Sequence, residues 1–173
     1  NYEQREGISE ETAFIMADMM KSVIQEGTGR RVLSYISRPA AGKTGTTQGY
    51  GDAWFVGYTP QFSAGSWVGF DDRRISFPGE YGQGSRAALP IWGIFMKSVY
   101  DSLKMPIEDF KMPESGDVVF ADFCLESIKG SGVPRLYSSG CGGSVLKDLI
   151  KLKDMPNDYN IRRDTTFNIA EPD

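Results

Sequence analysis

The residues best suited to chemistry lie in one short segment, AAGKTGTT at positions 40–47. Threonine favours strands, and glycine leaves the surface of a strand bare enough for a ligand to lie against its backbone. The segment therefore predicts a strand that offers N–H and O–H donors beside a positive charge, suited to holding an anionic, peptide-like substrate by strand addition. Because side chains alternate along a strand, one face would carry Lys43, Gly45 and Thr47 and the other Thr44 and Thr46.

The Gly-Lys-Thr tripeptide has two other interpretations. A phosphate-binding loop requires a further glycine at position 37, where Ser37 stands, and it should open a helix, whereas a glycine-rich turn and a strand-like run follow here. We therefore reject a phosphate loop. An ordinary exposed strand with a solvated lysine stays open on these residues alone, because short motifs often match by chance.

Composition excludes several classes of function. The chain has 173 residues, is 40% hydrophobic and carries a net charge of −4, which fits a globular protein and argues against nucleic acid as a partner. It contains no histidine, so Ser-His-Asp catalysis and histidine metal sites are excluded, and we predict neither a metal nor a cofactor. Cys124 and Cys141 could form one disulfide or stay as two free thiols.

Two helices and a small antiparallel sheet are predicted to position the 40–47 segment. Ser9 is a suitable N-cap for a first helix with apolar residues at helical spacing. Pro90 fits the first turn of a second helix through about Leu103, whose apolar side would carry Ile91, Ile94, Phe95, Ser98 and Val99. Short turns join the segment to strand-like runs at 52–58 and 62–70, so we predict a three-stranded meander with the 40–47 strand open on its outer side.

The sequence pattern changes from Lys104 onward, where two Met-Pro pairs interrupt regular secondary structure. We predict a first domain at 1–104 and a loop-rich tail at 105–173. Within the tail, Val118 to Phe123 is a strand candidate and Leu146 to Leu152 a brief helix. The polar end from Asp154 is expected to be partly disordered.

Several motifs in order resemble the bifunctional class A penicillin-binding proteins. They are GTG at 27–29, AGKTGTT at 41–47, DAWFVGYTP at 52–60 and WVGFD at 67–71. The resemblance is to the C-terminal part of the transpeptidase domain and is close over residues 8–104. It implies an α/β fold of the α+β type, an antiparallel sheet flanked by helices as in serine β-lactamases and D,D-peptidases.

The resemblance also implies roles. The longer enzyme would be a peptidoglycan D,D-transpeptidase, in which a serine attacks the D-Ala-D-Ala stem peptide and an amine resolves the acyl-enzyme. β-Lactams would acylate the same serine. Lys43 would supply positive potential near the nucleophile, and the Thr46 N–H would be an oxyanion-hole donor, which makes both catalytic. The residues that would bind substrate are Thr44, Gly45, Thr46 and Thr47.

This chain departs from the family pattern in one large respect. The nucleophile motif S-x-x-K and the second motif S-x-N should precede Lys43, and neither does. The one S-x-x-K, Ser144 to Lys147, lies downstream and is predicted to be a non-catalytic surface segment. We therefore expect the nucleophile, and a glycosyltransferase domain, upstream in a longer protein.

The family's location outside the cytoplasmic membrane implies a periplasmic enzyme, anchored by a segment absent from this chain. In that compartment Cys124 and Cys141 are predicted to be bridged. Two alternatives stay open from sequence: a serine β-lactamase-like hydrolase and a non-catalytic peptide-binding module.

Overall fold

The computed structural model describes residues 7–156, and within them the chain forms two compact units. The first is built mainly from Thr12–Lys111 and the second mainly from Met112 onward. The regular elements, in order, are α1 (Glu10–Gln25), β1 (Ala41–Thr46), β2 (Asp52–Tyr58), β3 (Ser63–Gly69), α2 (Leu89–Leu103), β4 (Val118–Cys124), α3 (Leu125–Ser131) and β5 (Val145–Lys151).

The sheet of the first unit is an antiparallel meander in the order β1-β2-β3. This confirms the three predicted strands and their order. The 40–47 segment supplies β1, which lies at one edge of this three-stranded sheet. A mixed fold of helices and an antiparallel sheet, as predicted, is thus the scaffold that holds the Lys-Thr-Gly segment.

The core of the first unit lies between one face of this sheet and α2. The Phe55 ring meets the Trp92 ring edge-to-face with centroids 5.1 Å apart, and both residues are buried. The Trp92 indole N–H donates to the Ala64 carbonyl of β3 at 3.0 Å. Burying an aromatic ring of this size while its N–H is satisfied makes Trp92 the main anchor of the helix.

The side of α2 that packs on the sheet differs from the predicted one. The helix exists where it was predicted, with Pro90 in its first turn. However, Trp92, Met96 and Tyr100 are buried, whereas Ile91, Ile94 and Phe95 of the predicted apolar side are exposed. Both sides are apolar at helical spacing, so periodicity alone could not decide between them.

The second unit is a two-stranded antiparallel ribbon of β4 and β5, with the short helix α3 between them. The predicted strand at Val118 is confirmed. The predicted helix from Leu146 to Leu152 is wrong, because this run is β5 and completes the ladder with β4. A lone strand would leave its backbone groups without partners, and this pairing supplies them.

A disulfide joins Cys124, at the end of β4, to Cys141 in the loop before β5. Their Cα atoms lie 5.9 Å apart, so the predicted bridge is confirmed. The predicted disorder beyond Asp154 falls largely on residues outside the described part of the chain. None of the described helices is long and apolar enough to cross a membrane.

Candidate functional site

The register of β1 against β2 gives the two faces of the Lys-Thr-Gly strand different surroundings. Lys43 pairs with Val56, which is exposed, whereas Thr44 pairs with the buried Phe55. Directly paired residues of antiparallel strands share a face. Lys43 therefore lies on the open face of the sheet and Thr44 on the face that α2 covers, which is the alternation predicted from the sequence.

The backbone of β1 presents hydrogen-bonding groups along its outer edge. Thr47 donates its N–H to the Asp52 carbonyl at 3.0 Å, one step beyond the last register pair of β1 and β2. Since bonded and non-bonded pairs alternate in an antiparallel ladder, the N–H of Thr46 is directed away from β2. The same alternation directs outward the backbone groups of Thr44 and Gly42. The outer edge of β1 can thus pair with an extended ligand.

The Lys43 ammonium bends around this edge toward Thr44. It donates to the Thr44 carbonyl at 2.9 Å and lies 3.4 Å from the Thr44 hydroxyl. Lys43 is exposed, and it forms no ion pair with any residue in the described range 7–156. No carboxylate within that range therefore neutralises its charge, which is available to an anionic ligand at the strand edge.

The Thr44 hydroxyl has a second partner that the sequence did not indicate. Thr28, in the turn after α1, places its Oγ1 2.8 Å from Thr44 Oγ1. Thr28, Thr44 and Lys43 thus form a continuous polar chain along the edge of β1. The sequence signal for Thr28 was its place in the Gly-Thr-Gly motif, whose glycines were predicted to end the first helix and in which Thr28 itself was given no role.

The Thr46 hydroxyl accepts a hydrogen bond from the backbone N–H of Gly84 at 3.0 Å. Gly84 lies so close to the β1–β2 pair that a Cβ there would overlap the carbonyl oxygens of Gly45 and Trp54. A glycine is therefore required at this approach. No local pattern around position 84 could have revealed this contact, because it joins residues 38 apart in sequence.

The last two predicted site residues have different surroundings. Gly45 lies opposite Trp54 in the register, and a Cβ at Gly45 would come within 3.1 Å of the Trp54 Cβ. Thr47 closes the turn into β2, since its hydroxyl accepts the Asp52 N–H at 2.8 Å. Both residues belong to the same edge as Lys43, Thr44 and Thr46, so the structure brings all five predicted site residues together.

The downstream S-x-x-K segment does not have the geometry of a nucleophile and its base. Ser144 immediately precedes β5, and Lys147 lies within that strand. Residues three apart face one side on a helix but opposite sides on a strand. Ser144 is also exposed, and its N–H donates to the Glu126 carboxylate at 3.2 Å. These observations agree with a surface serine that does not act as a nucleophile.

One cluster among the described residues has metal-ligand chemistry, Cys124, Glu126 and Cys141. Its two sulfur atoms are joined in the disulfide. Cysteine binds a metal as a thiolate, and a sulfur atom in a disulfide is not a thiolate. The bridge therefore leaves the Glu126 carboxylate as the remaining potential metal ligand of this cluster.

The described residues thus form an antiparallel sheet backed by a helix, with the Lys-Thr-Gly segment in an edge strand whose outer side can pair with a ligand. The chain matches the family described as penicillin binding protein transpeptidase domain over residues 1–87, which is just over half of its length. The chain belongs to the penicillin-binding protein transpeptidase family.

Named relatives agree with this assignment. Penicillin-binding protein 1A of Aquifex aeolicus is 42% identical over 129 residues, which cover 73% of this chain and 17% of that protein. Penicillin-binding protein 1A of Pseudomonas aeruginosa is 45% identical over 89 residues, 51% of this chain and 11% of that protein. The chain thus spans less than a fifth of the length of these relatives.

A solved structure is similar as well. The crystal structure of penicillin-binding protein 1A from Haemophilus influenzae matches 86% of this chain and 21% of its own, with a TM-score of 0.68 and 26% identity. The match confirms the mixed helix and antiparallel sheet architecture.

Proposed function

We propose that this chain forms one wall of the active site of a peptidoglycan D,D-transpeptidase whose nucleophilic serine lies elsewhere in a longer polypeptide. The observation that carries the proposal is the edge of β1, where the outward Thr46 N–H lies in the same strand as the exposed ammonium of Lys43. A D-Ala-D-Ala stem peptide is extended and ends in a carboxylate. Strand pairing together with positive charge matches both features.

In this function Lys43 provides electrostatic stabilisation beside the reacting serine. The Thr46 N–H is one of the donors to the oxyanion that forms when the serine attacks the carbonyl carbon of the penultimate D-alanine. Removing such a donor costs about 10²–10³ in rate in other acyl-transfer enzymes. The tetrahedral intermediate collapses by releasing the terminal D-alanine, and an amine from a second peptide then displaces the serine oxygen.

The remaining site residues hold the substrate. The Thr44 and Thr46 hydroxyls are donors for the terminal carboxylate, and β-lactam antibiotics present a carboxylate to the same groups. Gly45 allows the ligand to lie close to the strand, and Thr47 holds the end of β1 through its contact with Asp52. None of these steps requires a metal or another cofactor.

We further propose that the longer polypeptide is a class A enzyme with a glycosyltransferase domain, anchored on the outer face of the cytoplasmic membrane. The support is the resemblance to class A proteins and the names of the similar proteins, all penicillin-binding protein 1A. The transpeptidase portion would end near residue 104, close to the end of α2, and residues 105–173 would form an appended region.

The experiment is labelling of the intact polypeptide with a fluorescent penicillin, followed by mapping of the labelled peptide by mass spectrometry. We expect stable labelling at a serine that precedes this chain, and no labelling of the isolated 173 residues. Intact polypeptide that is not labelled would refute the acyl-enzyme function and favour a non-catalytic peptide-binding module. Labelling at Ser144 would refute the assignment of the nucleophile. Rapid release of the label would favour a β-lactamase-like hydrolase.

A further inference from the structure

The backbone of the turn that follows α1 is tightly constrained on both sides of Thr28. The N–H groups of Gly27 and Gly29 both donate to the Val23 carbonyl, at 3.1 and 2.9 Å, so the chain folds back on the last turn of the helix. A Cβ at Gly27 would lie 2.9 Å from that carbonyl oxygen, which is too close for any other residue. Thr28, between the two glycines, is thereby presented from a fixed backbone.

Thr28 reaches the Lys-Thr-Gly strand from outside it. Its hydroxyl oxygen lies 2.8 Å from the Thr44 hydroxyl oxygen, and either group could donate the proton. Lys43, by contrast, has only donors to offer to the same Thr44 oxygen, 3.4 Å away. The Thr44 hydroxyl therefore has two neighbours. The Lys43 ammonium can only donate to it, and the Thr28 hydroxyl can either donate to it or accept from it.

The number of hydrogen bonds that a hydroxyl group can donate and accept determines how Thr44 can bind a ligand. A threonine hydroxyl has one proton to donate and two lone pairs that accept. When Lys43 and Thr28 both donate to Thr44, its two lone pairs are occupied and its own proton remains to be donated. A carboxylate accepts hydrogen bonds and donates none, so a carboxylate beside Thr44 favours this direction of the chain.

We propose that Thr28 is a positioning residue, which donates to Thr44 and so turns the Thr44 hydroxyl into a dedicated donor for the carboxylate of the substrate or antibiotic. The inference rests on the proposed function and adds a residue from outside the strand to its substrate recognition. Thr28 touches neither the substrate nor the reacting atoms in this arrangement. It acts only through Thr44, so its removal affects ligands that carry the carboxylate more than ligands that lack it.

The test uses the intact polypeptide and two acylating probes, benzylpenicillin and its neutral methyl ester, with second-order acylation rates measured for each. Thr28→Val keeps the β-branched shape and removes the hydroxyl, and Thr28→Ser keeps the hydroxyl. We expect Thr28→Val to slow acylation by benzylpenicillin about three- to tenfold, the effect of one lost hydrogen bond, with little change for the ester. Thr28→Ser should retain the wild-type ratio of the two rates.

Ser98→Ala is the control, because among the described residues the Ser98 hydroxyl donates to the Ile94 carbonyl within α2 and to no other group. It should leave both rates unchanged. Equal slowing of both probes by Thr28→Val would show a merely structural role and overturn the inference, as would a Thr28→Val rate equal to wild type. Wild-type polypeptide that neither probe acylates would instead refute the proposed function, so the two failures are distinguishable.

Discussion

The contact of Gly84 with the β1–β2 pair allows a steric test of how the site is held. In Gly84→Ala the new methyl group would overlap the carbonyl oxygens of Gly45 and Trp54. Both are backbone atoms of paired strands, so neither can rotate away as a flexible side chain would. Either the strand or the 84 segment must move, and the hydrogen bond from the Gly84 N–H to Thr46 lengthens or breaks.

The cost follows from these two effects. Overpacking a closely fitted site costs about 1–3 kcal/mol, and the lost hydrogen bond adds about 1 kcal/mol. We therefore expect Gly84→Ala to lower the free energy of unfolding by about 2–4 kcal/mol. Because small displacements of positioning groups are expensive in catalysis, acylation by penicillin should fall by about 10–10².

The matched control is Gly65→Ala in β3. A Cβ there would lie 3.7 Å from the Val56 side chain, an ordinary van der Waals contact. Both variants add one methyl group to a glycine without a positive φ, and that methyl group meets backbone oxygens at position 84 but makes an ordinary contact at position 65. Denaturant unfolding and the acylation rate of the intact polypeptide give the comparison. Equal unfolding free energies and equal acylation rates for the two variants would refute the close contact of Gly84 with the β1–β2 pair and its role in holding β1.

Two further predictions concern the strand hydroxyls and the disulfide. Thr46→Val keeps the shape of the residue but removes its hydroxyl, so acylation by carboxylate-bearing penicillins should fall about tenfold more than acylation by the neutral methyl ester, which loses only what the broken bond to Gly84 costs. Equal losses for both probes would contradict carboxylate recognition by Thr46. Thiol titration of the unreduced, denatured protein should find no free thiol, because Cys124 and Cys141 are bridged. Two reactive thiols would contradict the bridge.

The meander and the orientation of Lys43 could be predicted because they depend on local rules. A period of two fixes which side chains share a face, and turns as short as those between β1, β2 and β3 join antiparallel neighbours. Once the 40–47 segment was identified as a strand, the separation of Lys43 from Thr44 and Thr46 followed. The strand register in the structure then showed which of the two faces α2 covers.

The features that the sequence did not reveal depend on contacts between distant segments. The run from Leu146 to Leu152 fits a helix or a strand by its apolar spacing, and pairing with β4 decides for the strand. α2 has two apolar sides, and the contacts of Trp92 with the Phe55 ring and with the Ala64 carbonyl show which side packs on the sheet. The partners of the site, Thr28 and Gly84, likewise come from outside the motif strand.

The most direct test of the central claim is to compare Lys43→Ala with Lys97→Ala in the intact polypeptide. Lys97 is an exposed lysine of α2, paired with Asp101 at 2.6 Å and remote from the site in sequence. The measurement is the rate of acylation by penicillin together with the free energy of unfolding of each variant.

If the positive charge of Lys43 at the edge of β1 stabilises the acylation reaction, Lys43→Ala lowers the acylation rate by about 10²-fold or more. Its free energy of unfolding changes by less than about 0.5 kcal/mol, as for other exposed residues, and Lys97→Ala changes neither quantity appreciably. Wild-type acylation by Lys43→Ala, or a loss of stability that accounts for its whole loss of acylation, would contradict the account.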